Sequence, residues 1–476
     1  MIFNYSISMV SIVIIFIIGT LLKVIIARSL TIAEMGNYLY LQNIIVLLTM
    51  IISFGFNDLL IYSAANINKS KFSINQLQIK CFLLSAIFLV LIAIIIISIN
   101  YLELSKYSTG LILTIFIVVI FKNSTDQIAA YYQGKSNLKV KYLLDLMPMI
   151  IIFSIISIIF IFKKIILNIN YIFFIIAISY FPPFYLLVNK IIKIKNKSIR
   201  KVFSLKQEYK FCAPIYLSGL LALSSSIVPI IIMNEIGSIG LACYSLSLSI
   251  ASFIYIPGTA AEIVGFSEWG KAISLNKKDL LAENYRKIVR IGMILSSPLL
   301  VVLITYPQEV SYILFGEKYS DMSLAIRLFS LIIFIFLLNG PSESILKAFG
   351  DSKYILYSRI LSTLVTFGSI IPLIHWYGLN GAIYSYIIST FMGGILIYSL
   401  ALFVKYRIHP FNLKYFLTLL FIVMSGYVSF IIVEYFQLNH NEILKIILIV
   451  TFYSIIILLF LKFFKLIEFQ RNNISI

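Results

Sequence analysis

Apolar runs of about 20 residues recur from one end of this chain to the other, each the length needed to cross a hydrocarbon layer as a helix. They fall at 7–27, 39–62, 81–99, 111–132, 142–162, 171–189, 211–234, 241–266, 291–306, 324–346, 355–374, 381–403, 415–433 and 446–461. Lipid offers the backbone no hydrogen-bond partners, so only helices or a closed barrel can span it. The ten-residue alternation of barrel strands is absent. The expected fold is therefore all-α: a polytopic membrane bundle of fourteen transmembrane helices. Composition agrees, with 61% hydrophobic and 12% charged residues and a mean hydropathy of +1.01. That apolar excess cannot be hidden in a soluble core, which excludes a soluble enzyme, a nucleic-acid binder and a disulfide scaffold. The first run is expected to stay in the chain, since it lacks a basic leader and a small-residue cleavage site. Cys81, Cys212 and Cys243 match no metal or redox spacing and read as small core residues.

The net charge of +19 is explained by where the cations lie. With the N-terminus in the cytoplasm, the connections 63–80, 133–141, 190–210, 267–290, 347–359, 404–414 and 462–476 hold 29 of the 38 Lys and Arg residues, and the opposite connections hold five. The positive-inside rule then places both termini inside, and makes the charge a topology signal and a lipid contact rather than a nucleic-acid surface. All connections are short, so no extramembrane domain is expected to house an active site.

The chain also carries an internal repeat. Asn123-Ser124-Thr125-Asp126-Gln127, followed by Gly134 and Ser136, aligns at an offset of 216 with Asn339-Gly340-Pro341-Ser342-Glu343, followed by Gly350 and Ser352. A weaker match relates Gly36-Asn37-Tyr38 to the stretch Gly240–Tyr244, and Gly55 to Gly258. The expected organisation is an N-terminal six-helix lobe at 1–200, a C-terminal six-helix lobe at 201–405, and two additional helices with a short tail at 406–476. Six spans is an even number, so the copies would have parallel topology, related by an axis along the membrane normal, with a central cavity between them.

Fourteen spans, a six-plus-six repeat, and Lys23, Arg28, Glu34, Gly36 and Tyr38 at the close of the first span, with the Gly134 and Gly350 turns, resemble the polysaccharide (O-antigen type) flippases of the multidrug/oligosaccharidyl-lipid/polysaccharide exporter superfamily. The resemblance implies movement of polyprenyl-pyrophosphate-linked oligosaccharide from the inner to the outer leaflet of the plasma (inner) membrane by alternating access, coupled to a proton or sodium. It implies no cofactor, a monomer in contact with membrane lipids, and other polysaccharide-assembly proteins as partners.

Ionisable residues within spans are costly, about 2.5–3.5 kcal/mol each on insertion scales, and are functional candidates by default. Lys122 and Asp126 are four apart on one helical face, with Gln133 further along it, and Glu343 and Lys347 repeat the arrangement in the second copy. One reading is a cavity in which Lys23, Lys122, Lys347 and Arg28 attract phosphate while Asp126, Glu343 and Glu262 carry the coupling ion. The other is a set of neutralising pairs and headgroup anchors. Asp58, Asp145 and Arg327 read as boundary salt bridges or anchors. Nine of the eleven prolines lie in or beside spans, where they kink helices.

Rival functions remain open: export of small cations on the same scaffold, a peptidoglycan-precursor flippase, or a membrane polymerase or glycosyltransferase. Lysines within spans disfavour a cationic cargo. His375, His409 and His440 are scattered, and no nucleophile elbow, metal set or phosphate-cradling loop appears, so an enzyme is not expected.

Overall fold

The computed structural model describes residues 2–65, 74–99, 107–135, 137–162, 167–194, 219, 221, 224–259, 269, 278–349, 351–435 and 442–463. Among them every regular element is helical. Eleven helices are long and apolar enough to cross a membrane, as expected of a multi-pass membrane protein. With the 28-residue α1 (Ile2–Ser29) and two shorter apolar helices, Leu77–Leu91 and Ser226–Glu235, they account for the fourteen expected runs, that at 211–234 only in its last part. Glu262, Gly350 and the side chain of Asp58 lie outside the described residues.

The chain divides into two compact units, Met1–Ala242 and Cys243–Ile476. The first holds α1, α2 (Ile32–Ser53), α3 (Phe56–Ala65), α4 (Ile74–Ile99), α5 (Thr109–Gly134), α6 (Leu138–Phe162), α7 (Ile169–Ile194) and α8 (Ser224–Glu235). Helix α9 (Ser238–Ala251) runs across the division. The second unit continues with α10 (Lys278–Thr305), α11 (Pro307–Phe315), α12 (Ser323–Leu338), α13 (Ser342–Ala348), α14 (Ser352–Tyr377), α15 (Leu379–Tyr406), α16 (Leu413–Tyr435) and α17 (Glu442–Phe463).

Side-chain placement follows the logic of lipid as solvent. On α16, Thr418, Ser425, Gly426 and Ser429 are buried, while Leu413, Val423 and Tyr427 are exposed at 74%, 66% and 64%. Small residues let helix backbones approach closely, and large apolar ones face acyl chains.

The second expected span differs from its reading at 39–62. Helix α2 begins earlier, at Ile32, and ends at Phe54, whose φ of 47° and the following Gly55 at 74° put two left-handed residues between α2 and α3. Phe54 is held there by stacking on Phe88 at 4.9 Å. The motif residues Glu34, Gly36 and Tyr38 therefore open the second helix rather than close the first. Glu34 completes a capping box with Thr31: each side chain accepts from the other's backbone N–H, an arrangement that satisfies two otherwise orphaned donors. At Gly36 a Cβ would come within 1.9 Å of the Ser238 carbonyl oxygen, so only glycine lets the start of α2 meet the start of α9.

Candidate functional site

Each unit carries a charge cluster on its helices. In the first unit α5 packs against α6 and α7. Lys122 Nζ lies 3.2 Å from Asp126 Oδ2, with side chains 27% and 32% exposed. The spacing of four brings them together, as helix geometry requires. On α6, Lys141 pairs with Asp145 at 3.4 Å. Asp145 and Tyr180 of α7 both lie within electrostatic reach of Lys122. The two cations and two carboxylates of α5 and α6 thus share one side of the unit.

Between these charges α5 is lined with buried neutral polar groups. Ser124 and Thr125 donate to the Phe121 carbonyl at 2.6 and 2.9 Å. Gln127 Nε2 donates to Ser85 Oγ of α4 at 3.2 Å, while the Oδ1 of Asn123 and the Oε1 of Gln127 are buried without a hydrogen-bond partner.

In the second unit Glu343 sits in α13 and gathers three donors. Lys347 Nζ is 2.7 Å away, Arg359 Nη2 of α14 is 3.4 Å away, and the Tyr398 hydroxyl of α15 donates at 3.0 Å. Two cations against one carboxylate leave a local positive surplus. Lys347 and Arg359 are 50% and 43% exposed, while Glu343 is 22% exposed.

Just before this cluster the helix is interrupted at Asn339-Gly340-Pro341. Gly340 adopts φ +62°, a conformation that glycine, lacking a Cβ, reaches without steric penalty. The interruption frees backbone groups, and the structure pairs them. The Tyr285 hydroxyl of α10 donates to the Asn339 carbonyl oxygen at 2.5 Å, and Ser342 Oγ approaches the same oxygen at 2.5 Å. Ser399 Oγ donates to Asn339 Oδ1 at 2.8 Å.

Beyond α13, Asp351 accepts from Lys405 Nζ and the Tyr406 hydroxyl, and Phe349 stacks on Tyr406 at 3.8 Å between ring centroids. Asp351 lies between two spans, and these two hydrogen bonds, Lys405's above all, hold its carboxyl below the usual carboxylate range.

Of the residues singled out from sequence, the structure joins Lys122 to Asp126 and Lys347 to Glu343. Lys23 is half-buried on α1, which packs chiefly on α6, and Arg28 is exposed in the last turn of α1. Arg327 is exposed and donates to the Ile304 carbonyl at 2.9 Å. Sequence reasoning missed Arg359, Tyr398, Tyr285 and Tyr180. At the 216-residue offset Arg359 corresponds to Leu143, so the repeat gave no pointer to it.

Comparison with known proteins bears on this geometry. Residues 214–369 match the MatE family model. A curated relative, the "Probable multidrug resistance protein YoeA" of Bacillus subtilis (strain 168), is 20% identical over 182 residues, 37% of this chain and 39% of the relative, so the match spans well under half of its length. Among solved structures, "Lipid II flippase MurJ, inward closed conformation" superposes with a TM-score of 0.71 at 15% identity, covering 96% of this chain and 99% of that one. A multidrug resistance MATE family transporter of the MOP superfamily, in an inward-facing conformation, gives 0.65 at 16% identity over 82% and 94%. The chain thus carries a MatE match over residues 214–369 and shares its fold with the MurJ flippase and the MATE transporters.

Proposed function

We propose that the chain is a flippase for lipid-linked oligosaccharide, moving a polyprenyl-pyrophosphate-linked repeat unit from the inner to the outer leaflet of the plasma membrane by alternating access. The observation that carries this reading is the placement of cations within or at the ends of spans in both units: Lys122 beside Asp126, and Lys347 with Arg359 around Glu343. A pyrophosphate head calls for such donors, which bind it as charge-assisted hydrogen bonds. Lys23 and Arg28 would add to the attraction for the head. Asp126 and Glu343, with Glu262, would carry a coupling proton or sodium. The fold shared with a lipid II flippase over nearly the whole chain supports a lipid-linked cargo.

A second reading, export of small cationic compounds, is favoured by the MatE match and by the relative named as a multidrug resistance protein. Reconstitution separates the two. Proteoliposomes are loaded with a fluorescent polyprenyl-pyrophosphate oligosaccharide, and its exposure at the outer leaflet is read with a lectin or a membrane-impermeant quencher. Protein-dependent exposure supports the flippase. Efflux of a cationic dye with no lipid movement would establish the exporter instead, and movement of lipid II alone would make the cargo a peptidoglycan precursor.

A further inference from the structure

The second unit contains a cavity of about 310 Å³. Its inner wall is made by Tyr285 of α10, Asn339 at the helix interruption, Leu402 near the end of α15 and Ile408 of the loop that follows; Phe403 and Phe411 complete its mouth. This volume is at the small end of the range for ligand pockets, about 300–1,000 Å³, and suits a stretch of one acyl chain rather than a whole amphiphile.

The polar residues in the wall are turned onto one another. Tyr285 is committed to the Asn339 carbonyl, Ser399 to Asn339 Oδ1, and Asn339 Nδ2 lies 3.4 Å from the Ile395 carbonyl. What faces the cavity is therefore hydrocarbon and aromatic ring. The His409 ring lies 5.9 Å from Phe403 and 6.2 Å from Phe411, and its Nδ1 is buried without a hydrogen-bond partner. Arg286 Nε donates to the His409 carbonyl at 3.1 Å and pins the loop against α10.

Two further features say what would enter. Leu400, Phe403 and Phe411 are 50%, 52% and 49% exposed, so apolar side chains surround the mouth on a lipid-facing surface. The loop and the helix after it then supply exposed cations on either side of the lining residues: Arg407, immediately before Ile408, and Lys414, three residues after Phe411. Arg407 also holds a left-handed conformation, φ 58°, that ends α15 and starts the loop. An apolar slot beside a cationic rim complements an anionic amphiphile.

We propose that this cavity takes the stretch of one acyl chain nearest the glycerol of an anionic phospholipid, whose phosphate rests at Arg407 and Lys414 on the face that the basic-residue pattern assigns to the cytoplasm. The site is separate from the charge clusters assigned to cargo and does not depend on what that cargo is. Occupancy would brace the α15–α16 loop against α10 next to the interruption at Gly340.

The test uses the full chain in bilayer nanodiscs containing a minor fraction of phosphatidylglycerol with a diazirine near the carbonyl end of one acyl chain. Photolabelling is compared between the 399–411 segment and a lipid-facing control near the same face, the 455–460 segment of α17, where Ile455, Leu458 and Leu459 are exposed. Labelling of 399–411 is expected to exceed the control several-fold, and phosphatidylcholine with the same diazirine is expected to label the two alike. Ile408→Trp fills the cavity from within, Leu400→Trp narrows it from the mouth should the first variant misfold, and Arg407→Asn with Lys414→Ala discharges the rim while keeping a residue that tolerates the left-handed turn. Each is expected to return labelling to the control level. Equal labelling of the two segments by phosphatidylglycerol, or indifference to the cavity-filling variants, would overturn the proposal. So would displacement of the label by polyprenyl phosphate at concentrations where unlabelled phosphatidylglycerol has no effect. None of these readouts measures transport, so failure here and failure of the flippase reading are distinguishable.

Discussion

The two copies of the repeated block fold differently. Asn123–Gln127 lies inside one unbroken helix, α5, whereas Asn339–Glu343 spans the gap between α12 and α13. The pattern is shared, but the second copy has Gly340-Pro341 where the first has Ser124-Thr125. Ser124 and Thr125 hydrogen-bond back to the preceding turn and leave the helix intact, while proline removes an N–H and crowds the turn before it. Lipid does not tolerate the freed groups, so Tyr285 and Ser342 take over the Asn339 carbonyl. One copy therefore holds its carboxylate on an unbroken helix and the other on a short helix set off by the interruption. The charge clusters differ to match: a closed pair in the first unit, and an open one with a surplus cation in the second.

The largest expected effect concerns the closed pair. Asp126→Asn or Lys122→Ala leaves one partially sheltered charge without its partner. Full burial would make that worth about 3–5 kcal/mol, and the partial exposure of both side chains reduces it. Glu343→Gln leaves Lys347 and Arg359, both well exposed and able to reach water, so its stability cost should be much smaller. Thermal unfolding in detergent checks the ordering, and equal losses would break the contrast between closed and open clusters. In the reconstituted assay each of the three variants is expected to slow lipid movement about tenfold or more, a barrier change of about 1.4 kcal/mol. Unchanged movement in both α5 variants would remove that pair from the mechanism.

Next in size is the interruption itself. Gly340→Ala places a side chain at positive φ, with its Cβ 2.4 Å from Val289 Cγ2, and should destabilise by about 1–3 kcal/mol. The counterpart Ser124→Ala loses only a local back-bond to a carbonyl that Thr125 also serves, and should cost about 0.5 kcal/mol. Tyr285→Phe is expected to fall between them, at about 1 kcal/mol, because Ser342 still serves the carbonyl. If Tyr285→Phe is silent, the hydroxyl does not support the interruption and the account of the second copy needs another partner.

What was legible in the sequence divides along the same physical line. The spans were readable because lipid forces a length and a composition on each helix. The pairs Lys122–Asp126 and Lys347–Glu343 were readable because positions four apart share a helical face whatever else the chain does. Arg359, Tyr398 and Tyr285 were not, since each arrives from another helix through tertiary packing, and one sequence carries no record of which helices meet. The bend at Phe54-Gly55 was hidden for a different reason: apolar residues continue on both sides of it, and the hydropathy that reveals a span is blind to a change of direction within one. The π-helical stretches of α15, Thr390–Leu396 and Ala401–Tyr406, were hidden likewise.

The smallest expected effect tests how the articulated end is held. Asp351 follows the short helix of the second copy and is tied to Lys405 and Tyr406 at the end of α15. These bonds favour its ionised form, so its folded pKa lies below the ordinary value of 3.8. A group depressed on folding contributes its stability above the unfolded pKa and loses it as pH falls through the folded one. The clip should therefore be fully present at neutral pH and weaken only in acid below about pH 4. Asp351→Asn should remove that acid-dependent component and leave the neutral-pH unfolding temperature only slightly lower, because the clip is solvent-facing and screened. Hydrogen exchange at α13 offers a sharper readout than global unfolding. If the clip holds the articulated end, the variant at neutral pH and the parent protein in acid should both exchange faster there, with α5 unchanged. Faster exchange at α5 to the same degree would mean that the two copies are equally pliant.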